Sequence, residues 1–158
     1  MKNIYSNIYK PTNNNLTKAK IIVDKGGVVA VPTETVYGLA ANAYNNKAIQ
    51  KIYSLKKRPS RNPLIVHFKN IESIKSEAVI NKNFLKLVKK FSPGPLTYIL
   101  KKKKISKISK LANKGLDTIA VRIPKEKNII KLLSILKYPL AAPSANKSKS
   151  LSPTTAKH

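Results

Sequence analysis

Two apolar periods take turns along this chain, and their alternation restricts it to a sheet packed against helices. Ile119, Val121 and Ile123 recur at every second residue, the period of a strand with one buried face. Ile129, Leu132, Leu133 and Leu136 recur at i, i+3, i+4 and i+7, the period of a helix with one buried stripe. The helical spacing returns in Phe84, Leu87, Val88 and Phe91, in Ile49, Ile52 and Tyr53 within residues 46–55, and in Leu16, Ala19, Ile22 and Val23. Thr17 is the expected cap of that first helix and Gly26-Gly27 its stop. Strands are expected at residues 28–31, 64–68, 96–100, 118–123 and 139–142. Helices and strands interleave throughout, which predicts an α/β (α+β) architecture: one domain whose twisted mixed sheet is flanked by helices. Residues 1–14 read as an N-terminal arm and residues 15–158 as the domain.

With 158 residues the chain has enough apolar material for one core, and several chemistries are closed to it. The absence of cysteine removes disulfides, thiolate metal sites and a thiol nucleophile. Neither a G-x-x-x-x-G-K-[ST] nor a G-x-G-x-x-G segment occurs, so the P-loop and dinucleotide fingerprints are missing. Two histidines and six scattered acids suit neither a metal cluster nor a carboxylate dyad, and no metal ligands are expected. No apolar run reaches the length of a membrane span, and the start lacks the apolar stretch of a signal peptide. A cytoplasmic protein without membrane attachment is therefore expected. The net charge of +26 would draw polyanions, with nucleic acid the first candidate. Lys supplies 29 of the 32 cations, and beside 15 Asn and 18 Ile this equally fits an AT-rich coding bias. The three arginines, Arg58, Arg61 and Arg122, are worth locating, because only Arg offers a rigid bidentate fork.

Short polar segments stand at the predicted strand ends. In residues 32–38 (PTETVYG) alternate side chains share a face, so Thr33, Thr35 and Tyr37 would form a hydroxyl wall; a Thr-rich loop with Tyr37 in the core is the plainer explanation. Pro59 biases Arg58 toward extended geometry, so Lys56 and Arg58 would project together and clamp a polyphosphate. A basic helix end complementing the macrodipole competes with that reading. Leu64, Val66 and Phe68 form one strand face and leave His67 on the other, where a lone histidine is more often structural. Thr118, Ala120 and Arg122 oppose Ile119, Val121 and Ile123, and Ala120 leaves room for a small carboxylate between a hydroxyl and a guanidinium. Residues 141–146 (AAPSAN) are small enough for the backbone to approach a ligand, and Ser144 and Asn146 share a face.

Taken in order, PTETVYGL at 32–39, KKRPSRNPLIVH at 56–67, SPGPLT at 92–97, DTIAVRIP at 117–124, APSAN at 142–146 and SPT at 152–154 resemble the YrdC-like domain of the threonylcarbamoyl-AMP synthase family. The resemblance covers nearly the whole chain from about residue 15. It implies an enzyme that condenses L-threonine, bicarbonate and ATP, the last with Mg2+, into threonylcarbamoyl-AMP and pyrophosphate. A downstream transferase would then modify tRNA, which this chain could itself contact. By the resemblance, Lys56 and Arg58 are the catalytic cations. With Asn62, Thr118, Ser144, Asn146 and Ser152 they would bind ATP, while Thr33, Thr35, Tyr37, His67, Arg122 and the backbone of Ala142 would hold threonine. Two departures accompany it. Lys149 stands where the family often has Gly, and the family's domain continues for some tens of residues past His158, so this chain is expected to lack its C-terminal portion. The alternatives are a nonenzymatic module for double-stranded RNA, suggested by charge, and an inactive fragment of the synthase, suggested by length.

Overall fold

The computed structural model describes residues 7–57, 59 and 62–158. The first helix, α1 (Asn13–Asp24), starts from Thr12, whose hydroxyl accepts the Asn15 N–H at 3.3 Å. Thr17 is not the cap. It lies inside the helix and donates back to the Asn13 carbonyl at 3.0 Å, the i−4 bond open to a helical threonine. The helix thus takes Asn13 and Asn14 from the expected arm. Gly26, at φ +73, turns the chain out of α1 in the left-handed conformation that glycine tolerates. Strand β1 (Val29–Val31) follows as expected, and β2 (Gly38–Asn42) pairs with it antiparallel.

Asn45 caps α2 (Asn46–Lys56), β3 (Ile65–His67) follows, and a five-residue α3 (Ile71–Lys75) leads into α4 (Lys82–Phe91). In α4 only Phe84 and Val88 are buried; Leu87 and Phe91 are each 44% exposed, so the apolar stripe is half covered. Strand β4 (Tyr98–Lys101) starts later than the apolar run, because Pro93, Gly94 and Pro95 hold the preceding residues in a turn. Lys101 is a strand residue rather than a solvated exit. The remaining elements, β5 (Thr118–Arg122), α5 (Lys127–Ile135) and β6 (Leu140–Ala141), agree with the periodicity.

The six strands form one sheet in the order β1-β2-β6-β3-β5-β4, with β3 and β5 parallel and the other neighbours antiparallel. One face buries Val66, Ile119, Val121, Leu100 and Ala141 with Ile49 and Ile52 of α2 and Phe84 and Val88 of α4. The opposite face is divided. Over β1, β2 and β6, Val31, Ala40 and Leu140 meet Val23 of α1 and Ile129, Leu132 and Leu133 of α5. Over β3, β5 and β4 the same face presents Ile65, Thr118, Ala120 and Arg122 half-buried, and Ile99 remains 66% exposed. That open half is the floor of the site.

Candidate active site

The parallel register of β3 and β5 sets His67 beside Arg122 on the open half-face. The guanidinium is fixed on one edge: Nε and Nη2 both donate to Thr97 Oγ1, at 3.0 and 2.9 Å. Its Nη1 lies 3.6 Å from Glu34 Oε1, and both side chains are 13% exposed. The other carboxylate oxygen, Glu34 Oε2, accepts the Lys125 N–H at 3.0 Å, while Oε1 is buried with no hydrogen-bond donor among the described residues. His67 is 1% exposed, and neither ring nitrogen makes a hydrogen bond of normal geometry among the described residues. Burial first, and the Arg122 cation second, push its pKa down to about 3, so the ring is neutral at pH 7. The cluster therefore offers a pre-aimed cation, a fixed carboxylate and a buried neutral imidazole within one patch.

The segment between β1 and β2 forms one wall. Thr33 Oγ1 donates to the Val36 carbonyl at 2.6 Å, accepts the Thr35 and Val36 N–H groups at 3.2 Å each, and lies 3.0 Å from Thr35 Oγ1. A bend at residues 34–36, rather than the extended alternation expected, brings these two threonine hydroxyls together. Tyr37 joins through its backbone, donating to the Pro153 carbonyl at 2.8 Å and accepting the Ala145 N–H at 2.7 Å. Its side chain borders a groove shared with Ile8, Leu16, Val29 and Pro153. Gly38 permits the close approach of the next segment, since a Cβ there would stand 3.3 Å from Ala142 Cβ and 3.5 Å from the Ala142 and Pro143 carbonyl oxygens. The Ala142 N–H is engaged by the Ile65 carbonyl at 3.0 Å, and the residue is buried against Gly38.

Lys56 is 2% exposed, and its ammonium donates to the backbone carbonyls of Ser144 and Asn146. In return the Lys56 carbonyl accepts the Ser148 N–H at 2.7 Å. The structure thus joins Lys56, Ser144 and Asn146, and Asn146 Nδ2 folds the loop further by donating to the Lys147 and Ser150 carbonyls at 2.8 and 2.6 Å. Ser152 is exposed beside Pro153. Asn62 opens the approach to β3, its carbonyl accepting the Tyr53 hydroxyl at 2.8 Å. Thr118 begins β5, four residues from Arg122 and about 13 Å away at the rise of a strand, so the two mark opposite ends of the floor. Arg58 and Arg61 lie outside the described residues.

Glu34 and Thr97 were absent from the expected set. Scarcity was the available signal for Glu34, one of only six acids, set between two threonines in a segment already suspected. For Thr97 there was only its place at the end of SPGPLT.

These positions can be set against known proteins. The profile of the Sua5–YciO–YrdC family, described as "Telomere recombination", matches residues 21–158. The threonylcarbamoyl-AMP synthase of Pyrococcus abyssi (strain GE5 / Orsay) is 44% identical over 137 residues, covering 86% of this chain and 40% of that protein. The threonylcarbamoyl-AMP synthase of Bacillus subtilis (strain 168) is 43% identical over 144 residues, covering 90% of this chain and 41% of that protein. The crystal structure of P. abyssi Sua5 complexed with L-threonine superposes with a TM-score of 0.89 at 41% identity, covering 93% of this chain and 43% of that one. The chain spans about two-fifths of the length of these curated relatives. A shared sheet, a matched profile over most of the chain and this level of identity lead to one assignment: the chain belongs to the Sua5–YciO–YrdC family.

Proposed function

We propose that this chain carries the L-threonylcarbamoyladenylate synthase activity, a nucleotidyl transfer that joins L-threonine, bicarbonate and ATP. The Arg122 cluster carries the reading: a guanidinium locked onto Thr97, beside a buried neutral His67, on the half of the sheet that no core helix covers. Such a fork suits an amino-acid carboxylate. The relative solved with L-threonine supports that choice of ligand. Threonine's amine and bicarbonate would give a carbamate and water. The carbamate oxygen would then bond to the α-phosphorus of ATP as the bond from that phosphorus to the bridging oxygen breaks and pyrophosphate leaves.

Neither step needs a covalent enzyme intermediate, so positioning and charge stabilisation suffice. Arg122, His67, Thr33, Thr35, Tyr37 and the backbone of Ala142 would hold threonine. Arg58, Asn62, Thr118, Ser144, Asn146 and Ser152 would receive the nucleotide, with Mg2+ arriving on the triphosphate as part of the substrate. Lys56, by gripping the Ser144 and Asn146 carbonyls, holds the nucleotide loop in shape and places a positive charge beneath it. We place the reaction in the cytoplasm, ahead of a transferase that passes the threonylcarbamoyl group to tRNA.

Pyrophosphate release by the 158-residue chain should require ATP, L-threonine and bicarbonate together. Release indifferent to threonine would overturn the assignment. Arg58→Ala should lower turnover by about 100-fold or more, the range seen when one charge stabiliser is lost.

A further inference from the structure

Arg122 and Glu34 form an ion pair that neighbouring groups keep from closing. A charge-assisted hydrogen bond settles at about 2.7–2.9 Å, yet Nη1 and Oε1 stand 3.6 Å apart. Thr97 holds the guanidinium by Nε and Nη2, and the Lys125 N–H holds the carboxylate by Oε2. The facing oxygen, Oε1, is buried and has no hydrogen-bond donor among the described residues. A buried carboxylate oxygen that receives no hydrogen bond is costly unless a ligand supplies the missing proton donor. An α-amino acid carries a carboxylate and an ammonium on one carbon, and a fixed cation beside a fixed anion is complementary to that pair.

We propose that Glu34 is the receptor for the substrate's α-ammonium and the group to which its proton passes, a role that rests on the synthase reading above. Arg122 takes the carboxylate, and Glu34 Oε1 takes the ammonium. An ammonium has no lone pair and cannot be carboxylated. One N–H bond breaks, its electron pair stays on nitrogen, and the proton forms an O–H bond at Glu34 Oε1. The freed amine then attacks the carbon of bicarbonate: the N–C bond forms, the C–OH bond breaks, and a second proton from nitrogen joins the departing hydroxide as water, leaving the carbamate, after which Glu34 gives its proton to solvent.

The test compares L-threonine with 3-hydroxybutanoate, which lacks only the amino group, as ligands in titration calorimetry. The wild-type chain should prefer L-threonine, and Glu34→Gln, which keeps an acceptor for the Lys125 N–H, should lose about tenfold or more in L-threonine affinity while still binding the deamino acid. Glu34→Asp should recover part of the preference, which separates loss of charge from loss of fold. If wild-type protein prefers L-threonine and Glu34→Gln keeps that preference, the assignment of Glu34 is overturned and the synthase reading stands. If wild-type protein binds neither acid, both fall. In pyrophosphate release the Glu34→Gln deficit should reach about 100-fold near neutral pH and shrink as rising pH supplies the free amine from solvent. A deficit that stays constant with pH would remove Glu34 from the proton transfer.

Discussion

His67 buries two ring nitrogens that make no hydrogen bond of normal geometry among the described residues. Its environment makes a sign-definite prediction. The unfolded chain protonates this ring as pH falls through 6.5, whereas the folded chain does so only near 3. Within that window the unfolded state binds the extra proton, so stability is fully present above the window and declines as pH falls through it. Urea unfolding at pH 6.5 and pH 5 should show His67→Asn losing roughly 1.5 kcal/mol less than wild type between the two values. Equal losses would show the ring to be protonated already in the folded state. The facing of His67 and Arg122 was legible from a period of two, because the apolar neighbours of each left no choice of side. Their companions were not legible. The contacts of residue 122 with residues 34 and 97 come from the order of strands across the sheet, which no local pattern encodes.

The helices and strands with clean periods were readable, and the elements that escaped lack that signal. Strand β2 is GLAAN, where Gly and Ala blur any alternation, and α3 has only five residues. The start of α1 was misplaced because two threonines compete for the cap, and only the backbone path shows that Thr12 is the extended one, at φ −73 and ψ 160. Loops carry a different mark. With five glycines in the chain, lysines occupy left-handed positions: Lys57 at φ 48, Lys114 at φ 57 and Lys149 at φ 70. Lys114 has a compensation, its ammonium standing 4.4 Å over the Tyr53 ring. The resemblance led Gly to be expected at Lys149, and the backbone there has the conformation that glycine would favour. Lys149→Gly should stabilise the protein by about 1 kcal/mol in chemical denaturation, the cost of a Cβ in that region. A loss of stability would mean that the lysine side chain offsets its own strain.

At the scale of the whole molecule, 32 cations face six acids, and most of those acids have evident tasks. Asp24 accepts the Lys20 ammonium and the Tyr138 hydroxyl, Glu72 pairs with Lys75, and Glu126 caps α5. Glu77 is buried and accepts the Tyr44 and Ser106 hydroxyls at 2.6 Å each and the Lys107 N–H at 2.8 Å. Three ion pairs among the described residues leave most of the positive charge uncompensated, so self-repulsion opposes the compact state. Raising salt from about 0.1 M to about 1 M shortens the screening length from about 10 Å to about 3 Å. The melting midpoint should rise by about 3 °C or more, at about 2–4 °C per kcal/mol for a chain of this size. A fall would show that the few pairs outweigh the repulsion.

The place of β6 has a consequence for the order of assembly. This two-residue strand, which follows the other five along the described residues, lies in the middle of the sheet between β2 and β3, with Leu140 on one core and Ala141 on the other. Among the described residues, the β1–β2 ladder and the β3–β5–β4 ladder are joined edge to edge only through it. A chain emerging from the ribosome, amino end first, can form each ladder early, yet it holds both with an open seam until Leu140 and Ala141 arrive. Cooperative closure therefore follows both ladders, and the loop gripped by Lys56 forms directly behind it.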